Sequence, residues 1–136
     1  MNISNNKILI TGGASGIGLG LTRRFLEEGN SILICGRREA ALAEIRSEFP
    51  SVITFAADLA TEQGRIALYE WISNQHPDLE VLINNAGIQQ WMNLDDPDFY
   101  QRAKEEMAIN IEAPIHLVSL FSAVSYCNPK RCYQIC

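Results

Sequence analysis

One short segment restricts this chain more than any other: Thr-Gly-Gly-Ala-Ser-Gly-Ile-Gly, residues 11–18. It follows an apolar run, KILIT (7–11), and opens a stretch with apolar residues at helical spacing, GIGLGLTRRFLEE (16–28). A strand must therefore turn within a few residues into a helix. Gly12 permits the tight turn after the strand. Gly16 removes a side chain where a phosphate-bearing ligand would approach the backbone, and Gly18 lets the helix lie close to the sheet. The helix start, with Ser15 and Ile17 beside these glycines, offers backbone N–H groups to an anion. A glycine-rich turn without a ligand would show the same residues. The strand before it and the helix after it are what favour a pyrophosphate-bearing dinucleotide.

The rest of the chain repeats this alternation. KILIT (7–11), SILIC (31–35), SVITFAA (51–57) and EVLINN (80–85) are continuous apolar runs, the pattern of strands buried on both faces. Between them, Ile17, Leu21, Phe25 and Leu26 share one side of a first helix. Leu42, Ile45 and Phe49 do so in a second helix over 39–49, and Ile66, Tyr69 and Ile72 in a third over 62–75. Gly29-Asn30 and His76-Pro77-Asp78 supply stops and turns. The order β-α-β-α-β-α-β, with right-handed crossovers, predicts the α/β class: a Rossmann-type doubly wound parallel sheet with spatial order 3-2-1-4. A further helix should start after Asp95-Asp96-Pro97 and run to Phe121, kinked or divided by Pro114.

Composition excludes several function classes. The net charge of −5 argues against nucleic-acid and anionic-membrane partners, which need a basic patch. The apolar stretch from Ala113 to Val124 carries Pro114 and His116 and is too short to span a bilayer. The polar start MNISNNK lacks the pattern of a secretory leader, so a cytoplasmic location is expected. Cys35 sits in an apolar run and reads as a small buried side chain. Cys127, Cys132 and Cys136 lack the paired short spacings of a zinc site, and no metal is expected.

Thr-Gly-x-x-x-Gly-x-Gly resembles the glycine motif of the short-chain dehydrogenase/reductase family, in its single-domain branch. AADLA (56–60) looks like the segment whose aspartate, here Asp58 with Leu59 beside it, meets the adenine ring. NNAG (84–87) is similar to the family signature that places Asn85, Ala86 and Gly87 beside the cofactor. AIN (108–110) puts Asn110 where the family has the asparagine of its catalytic tetrad. Singly, Asp58 reads as a helix cap, Asn84 as a partner for backbone groups at a strand end, and Asn110 as a solvated helix residue. Their joint spacing carries the resemblance. Residues 68–89 further resemble bacterial members associated with teichoic-acid D-alanylation operons. The implied reaction is hydride transfer between a nicotinamide cofactor and a carbonyl or alcohol substrate. The resemblance leaves a homo-oligomer open.

The second apolar run ends LICGRREA. Dinucleotide sites for NAD hold an acid about 20 residues past the loop, for the ribose 2′-hydroxyl. Here that position is Gly36, followed by Arg37 and Arg38. A guanidinium suits a 2′-phosphate, which an acid would repel. Two arginines before a helix start also oppose its dipole and need a reason to be there. The pattern favours NADP over NAD, with Arg37 as the phosphate ligand.

The likeness stops after Phe121. Residues 1–121 read as an incomplete dinucleotide-binding domain, the N-terminal half of the family fold, and 122–136 as a divergent tail. Tyr126 and Lys130 mimic the spacing of the family's proton-transfer pair. However, Asn128-Pro129 reads as a turn between them, and the strand that should precede the tyrosine is missing. The expectation is a truncated and inactive reductase. A non-catalytic nucleotide-binding or dimerisation fragment and a frameshifted product without function are the alternatives.

Overall fold

The computed structural model describes residues 4–125. Four parallel strands, β1 (Lys7–Thr11), β2 (Ser31–Gly36), β3 (Ile53–Ala56) and β4 (Val81–Ile83), form one sheet in the order β3-β2-β1-β4. Leu9 lies opposite Leu33 on one side and Leu82 on the other, which fixes the register of β2, β1 and β4. The sheet alternates in side-chain shape as well as in direction. Ile8, Ile10, Ile32, Ile34, Val81 and Ile83 face one layer, and Leu9, Leu33, Cys35 and Leu82 face the other.

The helices α1 (Gly16–Glu27) and α2 (Glu39–Glu48) cover the isoleucine face, through Leu19, Leu21, Phe25, Leu42 and Ile45. The opposite face is covered by α3 (Glu62–Gln75) and α5 (Ala113–Ser125), through Leu68, Ile72, Ala113, Leu117 and Phe121. Two crossovers in one direction followed by one back across the sheet put the helices on opposite faces, as right-handed connections require. The short α4 (Phe99–Met107) buries nothing fully and leads into a π-helical segment, Ala108–Glu112. No helix among the described residues is long and apolar enough to cross a membrane.

The expected class and strand order are those observed, and three local expectations need correcting. Ile17 does not join the buried face of α1; it is 80% exposed, and Gly18 and Thr22 are the buried positions. In α3 the inward face runs through Arg65, Leu68 and Ile72, with Tyr69 half-buried, so Ile66 is not its anchor. A helix face centred on a buried arginine is invisible to an apolar pattern. The strand β3 is shorter than its apolar run and sits at the sheet edge, which leaves Ile53 and Ala56 exposed. Instead, Phe55 stacks on Trp71 at 4.7 Å, and Trp71 meets the edge of His76. Pro114 does divide its helix, but through a widened π turn rather than a simple kink, and it has no N–H for the carbonyl one turn back.

Burial has a chemical consequence at Cys35, the last inward residue of β2. Desolvation pushes its thiol up to about 12. The thiol therefore stays protonated and unreactive at neutral pH. Alkylation by iodoacetamide at about pH 8, mapped by peptide mass spectrometry, should leave Cys35 unmodified in the native chain and modify it fully in denaturant.

Candidate nucleotide-binding site

The carboxyl ends of β1, β2 and β4 open into a cleft of about 500 Å³. This is the position where neighbouring crossovers leave in opposite directions, so no helix closes it. The turn from β1 builds its floor. Gly12 has φ +67° and Gly16 φ +53°, both left-handed conformations that favour glycine. At Gly16 a Cβ would meet nothing within 4 Å, so the space before this backbone is open. At Gly18 a Cβ would lie 2.3 Å from the Gly12 carbonyl oxygen and 2.5 Å from Asn85 Nδ2. The first position thus leaves room for a ligand, and the second allows helix and turn to touch. Ser15 is the N-cap of α1 but makes no side-chain cap, and no acid lies in the first turn. The start of the helix is left to favour an anion.

Thr11 and Asn85 lock β1 to β4 at the cleft. The buried Thr11 hydroxyl donates to the Ile83 carbonyl at 3.2 Å and accepts from the backbone N–H groups of Asn85 and Ala86, both at 3.0 Å. Asn85 Nδ2 donates to the carbonyls of Thr11 and Gly12, at 3.0 and 3.3 Å. Asn85, not Asn84, therefore satisfies the strand ends. The amide nitrogen of Asn84 is buried without a partner among the described residues.

The side walls come from the other two loops. Asp58 does not cap a helix. Its Oδ1 accepts from Ala60 N at 3.0 Å, its carbonyl accepts from Thr61, and Thr61 is the residue that caps α3. Gly64 lets this turn press on α3, since a Cβ there would lie 2.1 Å from the Asp58 carbonyl oxygen. Across the cleft, Asn110 Oδ1 accepts from Ile88 N at 2.9 Å, and its Nδ2 donates to the Ile88 carbonyl at 2.8 Å. Both ends of this amide hold the loop after Gly87 against the π-helical segment.

Gly12, Ser15, Gly16, Ile17, Gly18, Arg37, Asp58, Leu59, Asn85, Ala86 and Gly87 all line this one cleft. Asn110 stands behind its rim, next to Ile109, which does line it. Sequence reasoning missed Thr11, whose hydroxyl was hidden at the end of an apolar strand. It also missed Gly13, where a Cβ would lie 2.9 Å from the Ile34 side chain, and Gly64. A glycine in the first turn of a helix, three residues after its capping threonine, was the available signal for the last. Tyr126, Lys130, Cys127, Cys132 and Cys136 lie outside the described residues.

A glycine-rich strand-to-helix turn, at the carboxyl edge of a parallel sheet with helices on both faces, defines a Rossmann-type α/β protein. The family model for the short chain dehydrogenase matches residues 6–125, and the chain belongs to that family. It is 45% identical over 128 residues to the uncharacterized oxidoreductase DltE of Bacillus subtilis, covering 90% of this chain and 49% of that protein. The short chain dehydrogenase/reductase dpchG of Colletotrichum higginsianum is 30% identical over 142 residues, covering 96% of this chain and 51% of that one. Among solved structures, the Pseudomonas aeruginosa RhlG/NADP active-site complex superposes with a TM-score of 0.77 at 26% identity, over 86% of this chain and 46% of that one. A short-chain dehydrogenase from Streptomyces avermitilis superposes with a TM-score of 0.83 at 18% identity, covering 98% and 49%, a likeness of fold. The chain spans about half the length of the relatives it matches.

Two glycines of α1 make a matched test. Gly18→Ala should destabilise the chain and displace the turn, because its Cβ would meet backbone at 2.3 Å. Gly20→Ala, with nothing within 4 Å, should instead raise stability by about 0.8–1 kcal/mol through helix propensity. Thermal melts of both variants check the contrast.

Proposed function

We propose that this chain binds NADP in the cleft and orients it for hydride transfer to or from a carbonyl or alcohol substrate. The diphosphate lies over Gly16 and the start of α1, the adenosine between Arg37 and Asp58, and the nicotinamide side toward Gly87 and Asn110. The single observation that carries the choice of cofactor is the charge at the turn after β2. Arg37 and Arg38 both line the cleft, and neither has an ion pair or side-chain hydrogen bond among the described residues. Glu39, the nearest acid in the chain, is held by Arg46 at 2.6 Å. Two unneutralised guanidinium groups at the ribose end suit a 2′-phosphate. The likeness to a protein whose structure is an NADP complex supports the same choice.

Of the four groups that the family resemblance assigns to catalysis, it places only Asn110 within residues 4–125. The proposal for these residues is therefore cofactor binding and orientation, and the redox step belongs to the whole protein. The nicotinamide supplies the hydride when bound. Asn110 keeps the Ile88 loop fixed beside it, and buried Ile109 with half-buried Ala86 gives that end of the cleft an apolar lining. A cytoplasmic location, where NADP is available, is part of this reading.

Calorimetric titration with NADPH and NADH tests it. A charge-assisted hydrogen bond from arginine contributes about 1.5–3 kcal/mol, or roughly 10- to 150-fold in affinity. Arg37→Ala should lower NADPH affinity by that factor and leave NADH affinity nearly unchanged. Equal losses for both nucleotides would remove the 2′-phosphate role. Absence of binding by the unaltered chain would remove the nucleotide reading itself.

A further inference from the structure

Arg65 is 6% exposed, on the inward face of α3 between that helix and α5. Burying a guanidinium costs several kcal/mol unless its charge and donors are met, and an apolar side chain of similar size would fill the same space without that cost. Its bonds run in two directions. Nη1 donates to the carbonyls of Leu59, at 2.9 Å, and Ala60, at 3.5 Å. Nε donates to His116 Nδ1 at 3.0 Å, and Nη2 lies 3.9 Å from Glu112 Oε2. The first pair is the wall of the cleft that continues from Asp58. The second pair is on the helix that leaves Asn110, and Glu112 closes the π-helical segment that Asn110 belongs to.

Together with the bonds of Asn110 they form a chain from one wall of the cleft to the other. From Asp58 and Leu59 it passes through Arg65 to Glu112 and His116, then along the helix back to Asn110. From Asn110 it reaches the opposite wall through both bonds to Ile88. We propose that Arg65 is a positioning residue that couples the adenine end of the cleft to the helix carrying Asn110. Occupation of the Asp58–Leu59 wall then tightens residues 112–117, and with them the nicotinamide end. The coupling rests on the nucleotide reading above. It is carried by hydrogen bonds that an apolar residue at position 65 would not make.

The test uses adenosine 2′,5′-bisphosphate, which fills only the adenine end, and the complete chain. Hydrogen exchange should show slower amide exchange across residues 112–117 when this probe binds. Arg65→Met keeps the volume and removes the donors. It should melt close to the unaltered chain, bind the probe roughly 2- to 30-fold more weakly, and lose the added protection at 112–117. Equal binding and equal protection in the variant would overturn the coupling and leave Arg65 as packing alone, with the nucleotide reading intact. Failure of the unaltered chain to bind the probe would overturn both. If Arg65→Met does not fold, the double variant Glu112→Ala/His116→Leu keeps the bond from Arg65 to Leu59 and removes both partners on the far helix. It should bind the probe nearly normally without protecting 112–117, and protection equal to that of the unaltered chain would again overturn the coupling.

Discussion

Everything around the cleft depends on one backbone contact. Gly18 approaches the carbonyl of Gly12 so closely that no side chain fits between them. This lets α1 leave directly from the end of β1. The same carbonyl accepts from Asn85 and so joins the turn to β4. Thr22, one turn further along α1, closes the arrangement from behind, its one hydroxyl hydrogen shared between the carbonyls of Gly13 and Gly18. Strand, turn, helix and neighbouring strand are thus fixed by polar groups buried at a single point. Within such an interior each unmet donor or acceptor would cost about 1–3 kcal/mol. The turn is rigid on its protein side and open on the other, which is what a preorganised anion site requires.

The cleft walls achieve rigidity differently. The Asp58 turn is held by its own backbone, by Thr61 and by the missing side chain of Gly64. The Ile88 loop is fixed from outside, by the amide of Asn110, by Glu106 accepting from Gln90 N, and by Arg102 donating to the Trp91 carbonyl. One wall is local in sequence and the other depends on a contact across 22 positions. Positional precision on the second wall therefore follows the helix that carries Asn110, and the buried Arg65 ties that helix back to the first wall.

Architecture was legible in the sequence because it rests on apolar periodicity and on glycine placement. Continuous isoleucine and leucine runs separated by helical stretches permit few arrangements besides a covered parallel sheet. The glycines of 11–18 fix where its cleft must lie. The cleft residues were legible for the same reason, since a short turn leaves little choice about which atoms face the cleft. The polar ties were not. Thr11 reads as one more β-branched strand residue, and Arg65 reads as the solvent side of an amphipathic helix, yet both are buried. Their burial follows from partners 74 and 51 positions away, which no local pattern records. Ile17 erred in the opposite sense: an apolar residue at helical spacing stays exposed because it faces the cleft instead of the sheet.

The π turn at Ala108–Glu112 sets the phase of all that follows it. A π turn holds one residue more than an α turn, so it takes up that extra residue without turning the helix beyond it. Ala113, Leu117 and Phe121 thereby face the sheet, and Ile115, 67% exposed, faces away from it. Substitutions along this helix alter one contact each, whereas a change of length beyond the π turn would alter all later contacts together.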